Sequence, residues 1–96
     1  MKIKIEIQYF EGCPHSEELI SRVKQAILKS YSDIEYSEIL VDSNELAEKY
    51  KFRGSPTLLI NGKDFENMTE SDFPTLKCRN YINGLPTVKE IISKFV

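Results

Sequence analysis

Cys13 is the side chain in this sequence best suited to covalent chemistry. It follows residues 2–9, where apolar and polar side chains alternate as in a β-strand with one apolar face. A helical pattern begins after Pro14, and proline suits a first helical position because it has no N–H to lose there. The thiol is therefore expected at a helix N-terminus, where N–H donors and the helix dipole favour the nucleophilic thiolate. The sequence predicts a reactive cysteine; the competing interpretation is a buried, inert thiol.

Two polar neighbours in the motif Cys13-Pro14-His15-Ser16 bear on that reactivity. The Ser16 hydroxyl could donate a hydrogen bond to a thiolate and stabilise it. The His15 imidazole could raise the thiolate fraction when protonated or carry a proton, although a lone histidine at such a position is more often exposed and incidental. Cys13, His15 and Cys78 together lack the spacing and the fourth ligand of a zinc site, so we predict no metal.

The second cysteine, Cys78, lies in residues 76–82, where polar and apolar side chains alternate again. It shares a face with Leu76 and Ile82, which indicates a buried and inert thiol. The alternative is a distant cysteine that resolves a disulfide formed on Cys13. Arg79 and Tyr81 are predicted on the opposite face, where they line a partner surface or pack against the last helix.

Composition places the chain among ordinary globular proteins. Its 96 residues suit one domain, predicted over residues 1–96, with a modest core. The net charge of −2 gives no indication of a nucleic-acid or membrane partner. No stretch approaches the ~20 apolar residues of a membrane span, and the first residues lack the apolar centre of a signal peptide. These features predict a cytoplasmic protein whose thiols stay reduced, and two cysteines are too few for a disulfide scaffold.

Periodicity and turn signals divide the chain into seven elements. The first helical pattern follows Pro14, and a short second one is capped by Asp42 or Ser43. The third is capped by Thr87, with Glu90 at the capping-box position. Strand patterns cover residues 2–9, 34–41, 55–60 and 76–82.

The connections between these elements predict the sheet. Asn61-Gly62 favours a tight turn, and the polar residues 63–75 predict a long loop before the last strand. Right-handed crossovers predict that strand one is parallel to strands two and three, and the turn makes the last two strands antiparallel. The predicted fold is α/β, β-α-β-α-β-β-α, with a four-stranded mixed sheet and helices on both faces. Strand three then separates Cys78 from Cys13, which disfavours a disulfide between them.

Three motifs add a resemblance to this pattern. Gly12-Cys13-Pro14 after strand one and Gly54-Ser55-Pro56-Thr57 before strand three resemble the thioredoxin-like superfamily over almost the whole chain. With Cys78-Arg79-Asn80-Tyr81, they look like a group of small prokaryotic thioredoxin-like proteins, here with a single-cysteine Cys-Pro-x-Ser motif. The resemblance implies that Cys13 attacks a disulfide and that Pro56 is a cis-proline beside it. It also implies a partner-binding site formed by Pro14, His15, Ser55, Pro56 and Thr57.

The motif departs from the dithiol members of that superfamily at Ser16. Thioredoxins and dithiol glutaredoxins have Cys-x-x-Cys, whereas a serine cannot resolve a mixed disulfide formed on Cys13. The Cys-x-x-Ser pattern is similar to that of monothiol glutaredoxins. However, Gly54-Ser55-Pro56 and Asn83-Gly84-Leu85 stand in place of their Thr-Val-Pro and Gly-Gly-x-Asp glutathione signatures. The sequence therefore predicts no cofactor, with glutathione as the open alternative.

The first functional hypothesis is a thiol–disulfide redox protein, a monothiol disulfide oxidoreductase that acts through Cys13. Ser16 and the helix N-terminus would stabilise the thiolate, and an external thiol or Cys78 would resolve the mixed disulfide. The expected partner is a protein or a small-molecule thiol or disulfide, and the protein is expected to be a monomer. The alternatives are a non-catalytic binding module and a dimer that handles metal or iron–sulfur through a shared Cys13. The binding module would dock its partner in the groove between Cys13 and Pro56 or on residues 63–75.

Overall fold

The computed structural model describes residues 2–81 and 83–95 and contains seven regular elements within those ranges. The order β-α-β-α-β-β-α is the predicted one. No helix in the described part of the chain is long and apolar enough to cross a membrane. The elements are β1 (Ile3–Tyr9), α1 (Ser16–Lys29), β2 (Ile34–Leu40), α2 (Asn44–Tyr50), β3 (Thr57–Ile60), β4 (Lys63–Asp64) and α3 (Val88–Ser93).

The four strands form one mixed sheet in the order β2-β1-β3-β4. β1 is parallel to β2, as predicted, but antiparallel to β3, so the prediction that β1 and β3 are parallel is wrong. β2 ends with Leu40 opposite Tyr9, and β3 begins with Thr57 opposite Gln8, at the same end of β1. The seven-residue α2 between them is only ~10 Å long, which is too short to carry the chain back along β1.

The fourth strand is Lys63–Asp64, directly after the predicted tight turn. Both turn residues have positive φ, 52° for Asn61 and 80° for Gly62, as a two-residue hairpin turn requires. The turn therefore returns the chain against β3 at once. The predictions of a long loop directly after the turn and of a fourth strand over residues 76–82 are wrong, and Ile82 itself lies outside the described residues.

The first helix begins later than its sequence pattern indicates. α1 starts at Ser16 rather than at Pro14, and His15 is its N-cap residue, without a side-chain cap hydrogen bond. The first bond of α-helical type runs from the Leu19 N–H to the His15 carbonyl, at 3.0 Å. Pro14 therefore belongs to the turn that precedes the helix, not to its first position.

The two shorter helices have the caps that their sequences indicate. The Ser43 hydroxyl, one of the two predicted candidates, caps α2, and Asp42 does not. At α3 the capping box is complete, because the Thr87 hydroxyl accepts from the Glu90 N–H and the Glu90 carboxylate accepts from the Thr87 N–H. Local side-chain chemistry therefore defines both helix starts.

Apolar side chains pack on both faces of the sheet. On one face, a small cluster of Val41, Ala47 and Phe52 joins α2 to the chain beyond β2, and the Phe10 ring packs edge-on against Phe52. On the opposite face, α1 and α3 pack on β1 and β3 through the buried side chains Ile5, Ile7, Leu19, Val23, Ala26, Leu58, Ile60 and Ile91. Helices therefore cover both faces, as predicted.

Candidate functional site

A disulfide joins Cys13 and Cys78, whose Cα atoms are 5.6 Å apart. Cys78 is exposed, so the interpretation of a buried and inert thiol is wrong. Its exposure follows from the position of its segment, which lies beside the residues that precede β3 rather than in a packed strand. A disulfide is a two-electron redox group, so the two cysteines can exist either as this bond or as a pair of thiols.

The backbone of Ser55 determines where Cys78 lies. The Ser55 N–H donates to the Lys77 carbonyl, and the Arg79 N–H donates to the Ser55 carbonyl, each over 2.8 Å. These two bonds form an isolated parallel bridge between Ser55 and Cys78. The expectation that strand three keeps the cysteines apart fails because the segment pairs with the chain before that strand, at the end of the sheet where Cys13 lies.

Cys13 lies in the turn between β1 and α1 and is only 6% exposed. The chain turns after β1 at Gly12, whose φ of +98° is unfavourable for other residues. The Ser16 N–H donates to the Cys13 carbonyl at 3.3 Å, so the cysteine stands one tight turn before the first helical residue. A surface pocket beside it is lined by Tyr9, Glu11, Gly12, Cys13, Pro14, Ser16, Glu17 and Ile20.

Ser16, the predicted partner of the thiolate, has its hydroxyl 3.0 Å from that of Ser55. Both residues are buried. The Ser55 hydroxyl also accepts from the Phe10 N–H at 3.0 Å and donates to the Phe10 carbonyl at 3.3 Å. Ser55 therefore ties the end of β1 to the start of α1, on either side of Cys13.

The predicted binding residues divide into an exposed pair and a buried trio. Pro14 and His15 are exposed next to Cys13. Ser55, Pro56 and Thr57 are fully buried, and the Ser55–Pro56 peptide bond is cis. The backbone N–H and C=O of Ser55, a residue of the predicted partner-binding site, are hydrogen-bonded by the chain's own segment around Cys78.

Arg79, the residue after Cys78, makes a buried ion pair with Asp64 of β4. Its guanidinium donates to the two carboxylate oxygens at 2.7 and 2.9 Å and to the Thr57 hydroxyl at 3.2 Å. Burial alone would raise the pKa of Asp64, but the hydrogen bonds from Arg79 and from nearby amides outweigh it and hold that pKa below its usual value. Burial alone would lower the pKa of Arg79, but the hydrogen bonds to Asp64 outweigh it and raise that pKa. The prediction that Arg79 lines a partner surface or packs against the last helix is wrong, because its side chain points into this pair.

Two further features fit the Cys78 segment against the turn before β3. A Cβ atom on Gly54 would lie 2.9 Å from the Arg79 Cβ, and Gly54 has φ of +117°, so a side chain at this position would strain the backbone and displace Arg79. The Tyr81 hydroxyl donates to the Pro56 carbonyl, and the Tyr81 ring centroid lies 5.0 Å from the guanidinium carbon of Arg79. Burial raises the pKa of Tyr81 to about 12, although the Arg79 charge opposes the rise.

The topology agrees with a comparison against protein families. A family model of the thioredoxin domain matches residues 1–65, more than half of the chain. This chain belongs to the thioredoxin-domain family. This match confirms the predicted thioredoxin-like superfamily and fold class. A search of curated proteins gives no match. The single-cysteine description is not supported, because both cysteines of this thioredoxin domain are joined in a disulfide.

The family match separates the two cysteines of this thioredoxin domain. Cys13 lies within the matched residues, whereas Cys78 lies beyond their end at Phe65. The redox-type site is therefore formed by the matched part of the chain together with a segment that follows it. A single domain over residues 1–96 remains a prediction.

Sequence reasoning missed the residues that hold Cys78 in place. Arg79 was visible as a charged neighbour of the cysteine, but its partner Asp64 lay in a stretch interpreted as loop. The available signal was Asn61-Gly62, since a two-residue hairpin turn requires a strand directly after it and so predicts a paired Asp64. Across the described ranges of this thioredoxin domain, no three His, Cys, Asp or Glu side chains cluster closely enough to hold a metal ion.

Proposed function

We propose that this protein catalyses thiol–disulfide exchange, with Cys13 as the nucleophile and Cys78 as the resolving cysteine. The observation that carries the proposal is the disulfide between these residues in a thioredoxin-family domain. Cys78 takes the role that Ser16 cannot fill, so the mechanism uses two cysteines of the same chain instead of one.

The reaction consists of two exchange steps. The Cys13 thiolate attacks one sulfur of a partner disulfide, forms a mixed disulfide and releases the other partner sulfur as a thiolate. The Cys78 thiol then loses its proton to solvent, and its thiolate attacks the Cys13 sulfur. The bond between Cys13 and Cys78 forms as the second partner thiolate leaves. The partner disulfide gains two electrons, and the two protein thiols lose them.

The surroundings of the two cysteines support this division of roles. Cys13 borders a surface pocket whose apolar lining includes Tyr9 and Ile20, which gives a partner disulfide a route to its sulfur. Cys78 lies on a segment that the backbone of Ser55 pairs with, and this pairing directs it toward Cys13. We propose that the reaction takes place in the cytoplasm and needs no cofactor. Its partner is a protein or small-molecule thiol or disulfide, and the thioredoxin domain acts as a monomer.

The test is to follow the mixed disulfide directly. The reduced protein is mixed with the uncharged model disulfide bis(2-hydroxyethyl) disulfide, quenched with iodoacetamide at short times and digested for mass spectrometry. We expect Cys78→Ser to accumulate a stable adduct on Cys13, whereas the wild type passes through that adduct to the internal disulfide. Cys13→Ser serves as the matched variant and should form an adduct on Cys78 much more slowly.

Three outcomes would contradict the proposal. An adduct that appears first on Cys78 in the wild type would reverse the roles of the two cysteines. An adduct on Cys13 that disappears equally fast in Cys78→Ser and in the wild type would exclude Cys78 as the resolving residue. If neither cysteine reacts faster than a free thiol peptide, the non-catalytic binding module becomes the better interpretation.

A further inference from the structure

We infer that Arg79 is a positioning residue that holds Cys78 next to Cys13 in the reduced protein, through its buried ion pair with Asp64. The inference rests on the proposed function, because it concerns the step in which Cys78 resolves a disulfide on Cys13. It assigns to this ion pair a role in the redox reaction in addition to its part in the packing.

The attachment of Arg79 does not depend on the disulfide. The side chains of Arg79 and Asp64 are each only 2% exposed, and they meet in two parallel hydrogen bonds of 2.7 and 2.9 Å. A third bond joins Arg79 to the Thr57 hydroxyl at 3.2 Å. These contacts connect the residue next to Cys78 to β3 and β4, and none of them involves sulfur. The paired guanidinium and carboxylate geometry also fixes the direction of the side chain.

Further contacts hold the segment on both sides of Cys78. The Arg79 N–H donates to the Ser55 carbonyl at 2.8 Å, and the Lys77 carbonyl accepts from the Ser55 N–H at 2.8 Å. Farther along, the Tyr81 hydroxyl donates to the Pro56 carbonyl. The segment is therefore attached before and after the cysteine, which restricts where the thiol can lie when the disulfide opens.

This restriction has a kinetic consequence. A thiol on a loosely tethered segment has an effective concentration of about millimolar, whereas an oriented group reaches values many orders of magnitude higher. Loss of the Arg79 anchor should therefore slow the resolving step about tenfold or more. The first step should keep its rate, because Cys13 lies on a different segment of the chain.

The experiment compares both steps in Arg79→Lys and in a matched control. Lysine keeps the positive charge but cannot make two parallel hydrogen bonds to a carboxylate. The control is Arg53→Lys, because the Arg53 Nε lies 3.6 Å from the same Asp64 carboxylate but on the chain before β3. The rates of adduct formation and of adduct loss at Cys13 are measured by quenched mass spectrometry with bis(2-hydroxyethyl) disulfide.

We expect Arg79→Lys to form the adduct at the wild-type rate and to lose it about tenfold more slowly, with Arg53→Lys unchanged in both steps. Equal rates of loss in Arg79→Lys and the wild type would overturn the inference. So would equal slowing in both variants, since that would indicate general loosening of the ion-pair cluster.

Asp64→Glu decides the question if Arg79→Lys does not fold. It keeps the negative charge but moves the carboxylate out of the position in which it accepts two parallel hydrogen bonds from Arg79, so we expect it to slow the resolving step several-fold without changing adduct formation. Resolution at the wild-type rate in this variant would then overturn the inference. The result for Cys78→Ser stands apart: if that variant resolves the adduct as fast as the wild type, it is the proposed function that fails.

Discussion

The hydroxyl oxygens of Ser16 and Ser55 lie 3.0 Å apart in the interior, and their contact joins the first residue of α1 to the residue before Pro56. Together with the bonds between Ser55 and Phe10, this contact holds together the two chain segments that flank Cys13. Both residues are buried, so the hydrogen bond is shielded from water. It is therefore a structural element of the site.

Ser16→Ala should lower the free energy of unfolding by about 1 kcal/mol, because the buried Ser55 hydroxyl loses one partner while its bonds to Phe10 remain. Urea denaturation measures the loss. Ser21→Ala is the matched control on the exposed face of the same helix, and it should change stability by less than about 0.5 kcal/mol. Equal losses in the two variants would show that the Ser16–Ser55 contact contributes no stability.

The disulfide should stabilise the oxidised protein strongly. Cys13 and Cys78 are 65 residues apart in sequence, and closing a loop of that length in the unfolded chain contributes about 4 kcal/mol. We expect the urea midpoint of the wild type to fall on addition of dithiothreitol. Cys78→Ser should have the lower midpoint with or without the reductant. A wild-type midpoint that does not respond to reductant would contradict this prediction.

Gly54→Ala should displace the Cys78 segment. The added Cβ would lie 2.9 Å from the Arg79 Cβ, so we expect a destabilisation of about 1–3 kcal/mol and slower closure of the disulfide from the reduced protein. Gly62→Ala is the control, because Gly62 also has positive φ but an added Cβ there meets no atom within 4 Å. It should lose stability through backbone strain alone and close its disulfide at the wild-type rate. Slower closure in both variants would assign the effect to strain.

The Asp64 carboxylate should make the stability of the protein depend on acid pH. Its pKa in the folded protein lies below the unfolded value of ~3.9: burial opposes this shift, and the bonds from Arg79 outweigh burial. A lowered pKa contributes stability that is present above the unfolded pKa and is lost as the pH falls through the folded one. Urea unfolding between pH 6 and pH 3 should therefore show a smaller loss in Asp64→Asn than in the wild type.

The exposed Asp72 provides the control for that measurement. Asp72→Asn should keep the wild-type dependence on pH, because the substitution leaves the buried pair intact. Asp64→Asn should also be less stable at pH 6 by about 3–5 kcal/mol, since it leaves the Arg79 charge buried without its carboxylate. A wild-type pH profile in Asp64→Asn would show that other carboxylates cause the acid sensitivity.

Much of the architecture was readable from local patterns in the sequence. The alternation before Gly12, the helical spacing after Pro14 and the capping box of Thr87 and Glu90 all predicted the elements found there. Each of these signals depends on neighbours a few residues apart, such as a cap and the N–H groups of the first turn. The cysteine motif at Cys13 was visible for the same reason.

The direction of β3 and the pairing of Cys78 were not readable in that way. Whether β3 runs with or against β1 depends on the length of α2 and on where the chain leaves it, which periodicity does not describe. Alternation over residues 76–82 has the period of a strand but reveals neither its neighbour nor its direction. The partner of that segment, Ser55, is more than twenty residues away, and their bridge depends on the fold as a whole.

The Cys13–Cys78 disulfide also determines how the chain responds to a pulling force. The covalent ring that it closes contains α1, β2, α2, β3 and β4, while β1 and α3 lie outside it. A force applied at the two ends of the oxidised chain can extend only the segments outside the ring. Reduction would release the chain between the cysteines, which lie 65 positions apart, and this chain extends to roughly 220 Å. The redox state of one bond therefore determines whether most of the fold bears mechanical load.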